Sequence, residues 1–115
     1  MVRTPLRGEV YWVRLDPVEG SEQGGRRPVL IVQNDIGNRL APTTIVAPLT
    51  RRAPRRPYPF LAHVTGIPGA EESWIHCGQV RTIDKTRLSG EPMAALDRDA
   101  MARVEAAVRA SLGMY

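Results

Sequence analysis

The sequence has little with which to build cross-links or metal sites: among 115 residues there is one cysteine, Cys77. A lone cysteine closes no internal disulfide and, with no second thiol beside it, offers no zinc set. Its alternation with Ile75 and Gln79 marks a buried small residue rather than a nucleophile. No apolar run approaches the roughly 18 residues that a membrane helix needs. The opening residues MVRTPLRGEV lack the apolar stretch and cleavage site of a signal peptide. These absences predict a cytoplasmic chain with no membrane partner. No repeat, low-complexity tract or linker divides the sequence, so residues 1–115 are expected to form a single domain around one modest core.

Lysine is nearly missing as well. Of 16 basic residues all but Lys85 are arginine, and the formal net charge is +4. The segment RRAPRR, Arg51 to Arg56, carries four arginines and no acid, so the rest of the chain balances to zero. Arginine suits bidentate recognition of phosphate, although a biased genome gives the same composition.

The pattern along the chain is mainly β. GEVYWVRLD alternates, with Tyr11, Val13 and Leu15 on one face and Val10, Trp12 and Arg14 on the other, as a strand does. PVLIVQND is apolar on both faces and is predicted to lie centrally. IGNRLAP then reads as a loop, and TTIVAPLT as a third strand that ends or meets a sheet edge near Pro48, which has no N–H to donate. YPFLAHV and SWIHCGQVRTI read as two more strands around a loop TGIPGAEE. From Asp97 the period becomes helical, with Met101, Val104, Val108 and Leu112 on one stripe, Asp97 as N-cap and Gly113 as terminator. A small, strongly bent sheet or barrel with a C-terminal α-helix is the expected architecture.

Between the first two strands stands GSEQGGRRP, in a connection of about a dozen residues where hairpins usually take two to five. Glycines 20, 24 and 25 open backbone conformations closed to other residues, and Ser21, Glu22 and Gln23 add hydrogen-bonding groups. Arg26 and Arg27 beside Glu22 suit an anion site, or equally a surface salt bridge of no functional weight.

The combination RGEVYWVRLDPVEGSEQGGRRPVLIVQND, then TTIVAPLT, then QVRTIDKTRLSG closely resembles the MazF/PemK family of toxin endoribonucleases from type II toxin–antitoxin systems. The likeness runs in register from about Arg7 to Gly90, and GSEQGGRRP is its most specific block. It implies an SH3-like barrel of the MazF/PemK/CcdB kind, working as a homodimer. It further implies cleavage of single-stranded RNA at short sequences, without metal or other cofactor, to 2′,3′-cyclic phosphate and 5′-hydroxyl ends. Inhibition of translation and growth, and a cognate antitoxin protein that blocks the activity, belong to the same implication.

By that resemblance Arg27 and Thr50 are the principal catalytic pair, and Glu22 matches an acidic loop position implicated in some members. Such cleavage needs a base for the 2′-hydroxyl proton, an acid for the 5′-oxygen and positive charge for the phosphorane-like transition state. Arg27 suits the third role, since its planar fork binds two phosphoryl oxygens. The Thr50 hydroxyl can donate to a phosphate oxygen or orient the 2′-hydroxyl. Many members carry an aspartate where this chain has Gly78, which throws more weight on Glu22, Arg27 and His76. His63, in an apolar strand pattern, reads as structural. The expected RNA contacts are Ser21, Gln23, Arg26, Arg51, Arg52, His76 and Gln79. Tyr58 and Phe60 can stack on bases, though Phe60 fits a core equally well. Two other functions use the same fold: a gyrase poison of the CcdB kind that cuts no RNA, and a non-catalytic SH3-like module that binds RNA or peptide. GSEQGGRRP together with Thr50 argues against the poison.

Overall fold

A computed structural model describes residues 3–115 of the chain. Its strands are β1 (Glu9–Arg14), β2 (Arg26–Ile31), β3 (Thr43–Thr50), β4 (Leu61–Ile67), β5 (Ala70–His76), β6 (Arg81–Asp84) and β7 (Ser89–Ala95). Two helices, α1 (Asp35–Leu40) and α2 (Arg98–Leu112), complete the order. The strands form one antiparallel sheet in the order β4-β5-β3-β2-β1-β7, with β6 paired to the other part of β3. The sheet curls into a half-barrel with α2 against it.

Alternation in β1 and β2 gives the curled sheet two apolar faces. Tyr11, Val13 and Leu15 meet Val29, Ile31, Val46 and Ile83 on one side. Val10, Leu30, Ala47 and Leu49 meet the β4–β5 hairpin and α2 on the other. The central placement of β2 follows from its composition: Val29, Leu30 and Ile31 are all fully buried.

β3 is the strand that bends the fold. Its first half pairs with β6 from Thr43 to Val46. Its last two residues, Leu49 and Thr50, pair with Ile75 and Trp74 of β5. Pro48 falls in the gap between these partners while still facing Val29 of β2. The strand runs through this proline and ends at Thr50, close to where the sequence placed its end, and Pro48 does not make an outer edge. The missing N–H falls where one neighbour has left and the next has not yet joined.

Other boundaries also differ from the sequence reading. IGNRLAP is not a loop but holds α1, capped by the Asn34 side chain, which accepts from the Gly37 N–H at 2.8 Å. The fully buried Asn38 drives that helix, its amide bonded to Gln33 and its Oδ1 accepting from the Thr44 hydroxyl at 2.7 Å. The loop expected at TGIPGAEE shrinks to a corner at Pro68 and Gly69, where Gly69 adopts φ +76°. The run expected as one strand, Ser73 to Ile83, is broken by a 3₁₀ turn, Cys77–Gln79, after which β6 pairs with the first half of β3, while β5 pairs with its end and with β4. β7 has no counterpart in the sequence reading, because SGEPMAA contains glycine and proline and does not alternate. It survives as an irregular edge strand against β1, where proline is tolerated.

Helix α2 keeps its forecast caps: Asp97 accepts from the Ala100 N–H at 2.8 Å and Gly113 ends the helix at φ +72°. Met101 and Val104 are buried with Ala100 and Ala107, but the stripe runs out, for Leu112 is 58% exposed. Among the described residues no helix is long and apolar enough to cross a membrane.

Candidate active site

The connection from β1 to β2 is held as a defined loop. At its base the Leu15 N–H donates to the Gly25 carbonyl at 2.8 Å, and the Gly25 N–H donates to Asp16 Oδ1 at 3.0 Å. Gly25 lies at φ +73°, in the left-handed region that favours glycine. Gly24 is needed for a different reason: a Cβ there would stand 2.6 Å from Val18 Cγ2 and 2.9 Å from Asp16 Oδ1. The tip is clasped to the 3₁₀ turn by Gln79, whose Oε1 accepts from the Gln23 N–H at 2.6 Å and whose Nε2 donates to the Ser21 carbonyl at 3.3 Å.

This loop fixes Arg27. The Arg27 Nε donates to the Gly24 carbonyl at 2.9 Å, and Nη1 donates to the Leu49 carbonyl at 3.2 Å. The β2–β3 register pairs Val29 with Pro48, and carrying it two residues onward sets Arg27 across from Thr50. The Thr50 Oγ1 in turn accepts from the Arg52 N–H at 3.2 Å. Arg26 takes the other face of β2, its guanidinium 4.7 Å from the centre of the Trp12 ring.

These side chains line one cavity of about 430 Å³, whose walls include Arg26, Arg27, Thr50, Arg51, Arg52 and Trp12. Among the described residues no carboxylate lies within ion-pair distance of any of its four arginines. The cavity is therefore a pocket of uncompensated positive charge, able to take an anion such as a phosphodiester. Arg51 is steered toward the hairpin corner by donating to the Gly69 carbonyl at 3.1 Å.

A second cavity, of about 510 Å³, holds Ser21, Glu22, Gln23, Gln79 and Arg81. Glu22 thus lies in a different cavity from Arg27. Its carboxylate accepts from the Glu19 N–H and forms no salt bridge with Arg26 or Arg27. The two cavities flank β3, with Pro48 on one and Leu49 and Thr50 on the other.

The histidines stand apart from both. His63 is on the exposed side of β4, with Nε2 3.4 Å from Glu72 Oε1 and its ring 5.1 Å from that of Trp74. His76 is partly buried, its Nδ1 has no hydrogen-bond partner, and desolvation pulls its pKa below the usual value. Burial thus favours its neutral form. Burial pushes the Cys77 thiol up to about 12, as suits the inert small residue expected of it. Among the described residues no three His, Cys, Asp or Glu side chains come together as a metal cluster.

Several lining residues escaped the sequence reading, Trp12 and Arg81 among them. Trp12 reads simply as one member of an alternating strand, and only the cross-strand diagonal to Arg26 brings it into the site. Arg81 donates to the Leu15 carbonyl at 2.9 Å and so ties β6 to the base of the loop. Its only sequence signal was an arginine inside a strand pattern.

The fold is shared with known proteins. The model of a family described as PemK-like, MazF-like toxin of type II toxin-antitoxin system matches residues 6–112. The chain is 46% identical over 110 residues to Endoribonuclease EndoA of Bacillus subtilis (strain 168), covering 94% of each chain. It is similar to the crystal structure of MazF from Deinococcus radiodurans, with TM-score 0.82 and 28% identity over 97% of this chain and 99% of that one. It is also similar to an endoribonuclease solved in complex with its cognate antitoxin from a mycobacterial species, with TM-score 0.77 and 27% identity over 96% of this chain and 97% of the other. The chain belongs to the PemK-like, MazF-like toxin family of type II toxin–antitoxin systems.

Proposed function

We propose that this toxin is a sequence-specific endoribonuclease that cuts single-stranded RNA, messenger RNA foremost, without a metal, and so inhibits translation and growth. The observation that carries the reading is the cavity in which Arg27, held by two main-chain carbonyls, faces Thr50 amid three further arginines free of carboxylate partners. The relative named an endoribonuclease supports the same activity.

In the proposed reaction the 2′-hydroxyl oxygen attacks the adjacent phosphorus and the bond from phosphorus to the 5′-oxygen breaks. The products are a 2′,3′-cyclic phosphate and a 5′-hydroxyl. Arg27 binds the phosphoryl oxygens as charge builds on them, which lowers the barrier because its fork is set in place beforehand. Thr50 donates a hydrogen bond from its hydroxyl to a phosphate oxygen, with its own oxygen oriented by the Arg52 N–H. Arg26, Arg51 and Arg52 supply backbone affinity. Ser21, Gln23 and Gln79 contact the flanking nucleotides, whereas His76, stacked behind Phe60, supports the site without touching RNA. Glu22, in the neighbouring cavity across β3, accepts the 2′-hydroxyl proton through an intervening water, and the departing 5′-oxygen takes its proton from water. Replacing Glu22 by glutamine is then expected to lower kcat about a hundredfold; an unchanged kcat with a raised KM reduces Glu22 to an RNA contact.

The deciding experiment incubates the purified protein with a long single-stranded RNA in EDTA and maps cut sites and end chemistry. Cuts at one short motif with cyclic phosphate ends are expected, and an equimolar cognate antitoxin suppresses them. Sedimentation of the same preparation is expected to show a homodimer. No cutting by active, antitoxin-free protein overturns the reading in favour of a gyrase poison or a binding module.

A further inference from the structure

Aromatic rings are scarce in this chain, yet three rings stand in one stack outside both cores. Tyr58 and Phe60 lie with ring centres 5.0 Å apart and planes 20° apart, and Phe60 and His76 follow at 5.3 Å and 26°. Neither apolar cluster includes any of the three. The stack is fixed through its backbone, because the Leu61 N–H donates to the Tyr58 carbonyl at 3.1 Å and the Cys77 N–H to the Phe60 carbonyl at 2.9 Å. Its outer member is open: Tyr58 is 39% exposed. The Arg56 guanidinium hangs over Tyr58 at 5.9 Å, the outer limit of a cation–π contact. At the inner end the stack abuts Gly78, where a Cβ would stand 3.2 Å from both Phe60 Cδ2 and His76 Cε1. Gly78 also lines the cavity that holds Glu22 and Gln79.

The geometry points to a nucleobase-stacking platform: a base of the single-stranded substrate displaces the Arg56 guanidinium and stacks on the Tyr58 ring, while Phe60 and His76 hold that ring rigid from behind. A flat ring capped by a guanidinium, within a segment of four arginines, matches what single-strand binders use, phosphate attraction followed by stacking. The neutral state of His76 suits its place inside the stack, where a charge would have no partner. The position beside Gly78 connects the platform to the second cavity, so the stacked base is a neighbour of the cut rather than the nucleotide that carries the reacting hydroxyl.

This inference rests on the endoribonuclease reading, and the test separates the two. An RNA carrying the mapped cut motif is prepared with an abasic site at each flanking position in turn, and kcat and KM are measured for the intact protein and for Tyr58→Ala, Tyr58→Phe and Tyr58→Trp. For the intact protein, one abasic position is expected to raise KM about tenfold, the order of one lost stack. Tyr58→Ala is expected to raise KM on intact RNA by a similar factor and to be indifferent to that abasic site, with kcat kept, whereas the phenylalanine and tryptophan variants behave as the parent. Thermal unfolding checks that the alanine variant is folded. An intact protein that cuts RNA while Tyr58→Ala shows the same KM and the same abasic profile overturns the platform alone. An intact protein that cuts no RNA overturns the endoribonuclease reading and the platform with it.

Discussion

Arg27→Ala is expected to lower the rate of RNA cleavage by about a hundred- to a thousandfold while RNA binding persists within a few fold. The separation follows from where the charges sit. Arg26, Arg51 and Arg52 line the same cavity and lack carboxylate partners, so the attraction for a phosphate backbone survives the loss of one guanidinium. Catalysis does not, because only Arg27 is fixed by two main-chain acceptors and stands across from Thr50. Lysine is a poor substitute: its ammonium is a point charge that cannot hold the Gly24 and Leu49 carbonyls and still present a fork to two phosphoryl oxygens. Arg27→Lys is therefore expected to recover binding fully and cleavage only in part. Single-turnover rates and equilibrium binding to an uncleavable 2′-deoxy substrate measure the two effects separately. Binding and cleavage that fall in step favour the module reading, and a fully active alanine variant removes Arg27 from the site.

How far this arrangement was legible in the sequence depends on the distance over which each signal acts. β1, β2 and the caps of α2 are local patterns, and alternation or a capping aspartate suffices to find them. The break between β5 and β6 is different, because Cys77 and Ile75 both look like strand residues, and the turn at Cys77–Gln79 shows only in the pairing of β5 with the end of β3 and of β6 with its first half. β7 likewise owes its existence to β1, not to its own composition. At the site, the pairing of Arg27 with Thr50 came from family resemblance, yet it has a plain cause in the register of β2 against β3. That Glu22 lies in a neighbouring cavity could not be read from its closeness to Arg27 in sequence. The loop carries it over Pro48 and Gln79 secures the tip there.

The loop's dependence on Gly24 has the second large consequence. Gly24→Ala is expected to lower kcat by about a hundredfold in a protein that remains folded. An added Cβ would meet Val18 Cγ2 at 2.6 Å and Asp16 Oδ1 at 2.9 Å. Val18 is stiff at χ1, and Asp16 Oδ1 is already engaged by the Gly25 N–H, so neither neighbour withdraws freely and the backbone at residue 24 must move instead. Crowding of this kind costs about 1 to 3 kcal/mol, less than the roughly 5 to 15 kcal/mol that holds a domain together. The displaced group is the Gly24 carbonyl, which is the acceptor that orients Arg27 Nε. A guanidinium shifted by about 1 Å still binds phosphate but no longer meets the transition state, and misplacement on that scale costs about two orders of magnitude in rate. The expected signature is a small drop in Tm, near-normal RNA affinity and a kcat deficit that is not additive with Arg27→Ala, since both variants remove the same interaction. Additive losses in the double variant would mean that the loop acts on the substrate by a route that does not pass through Arg27.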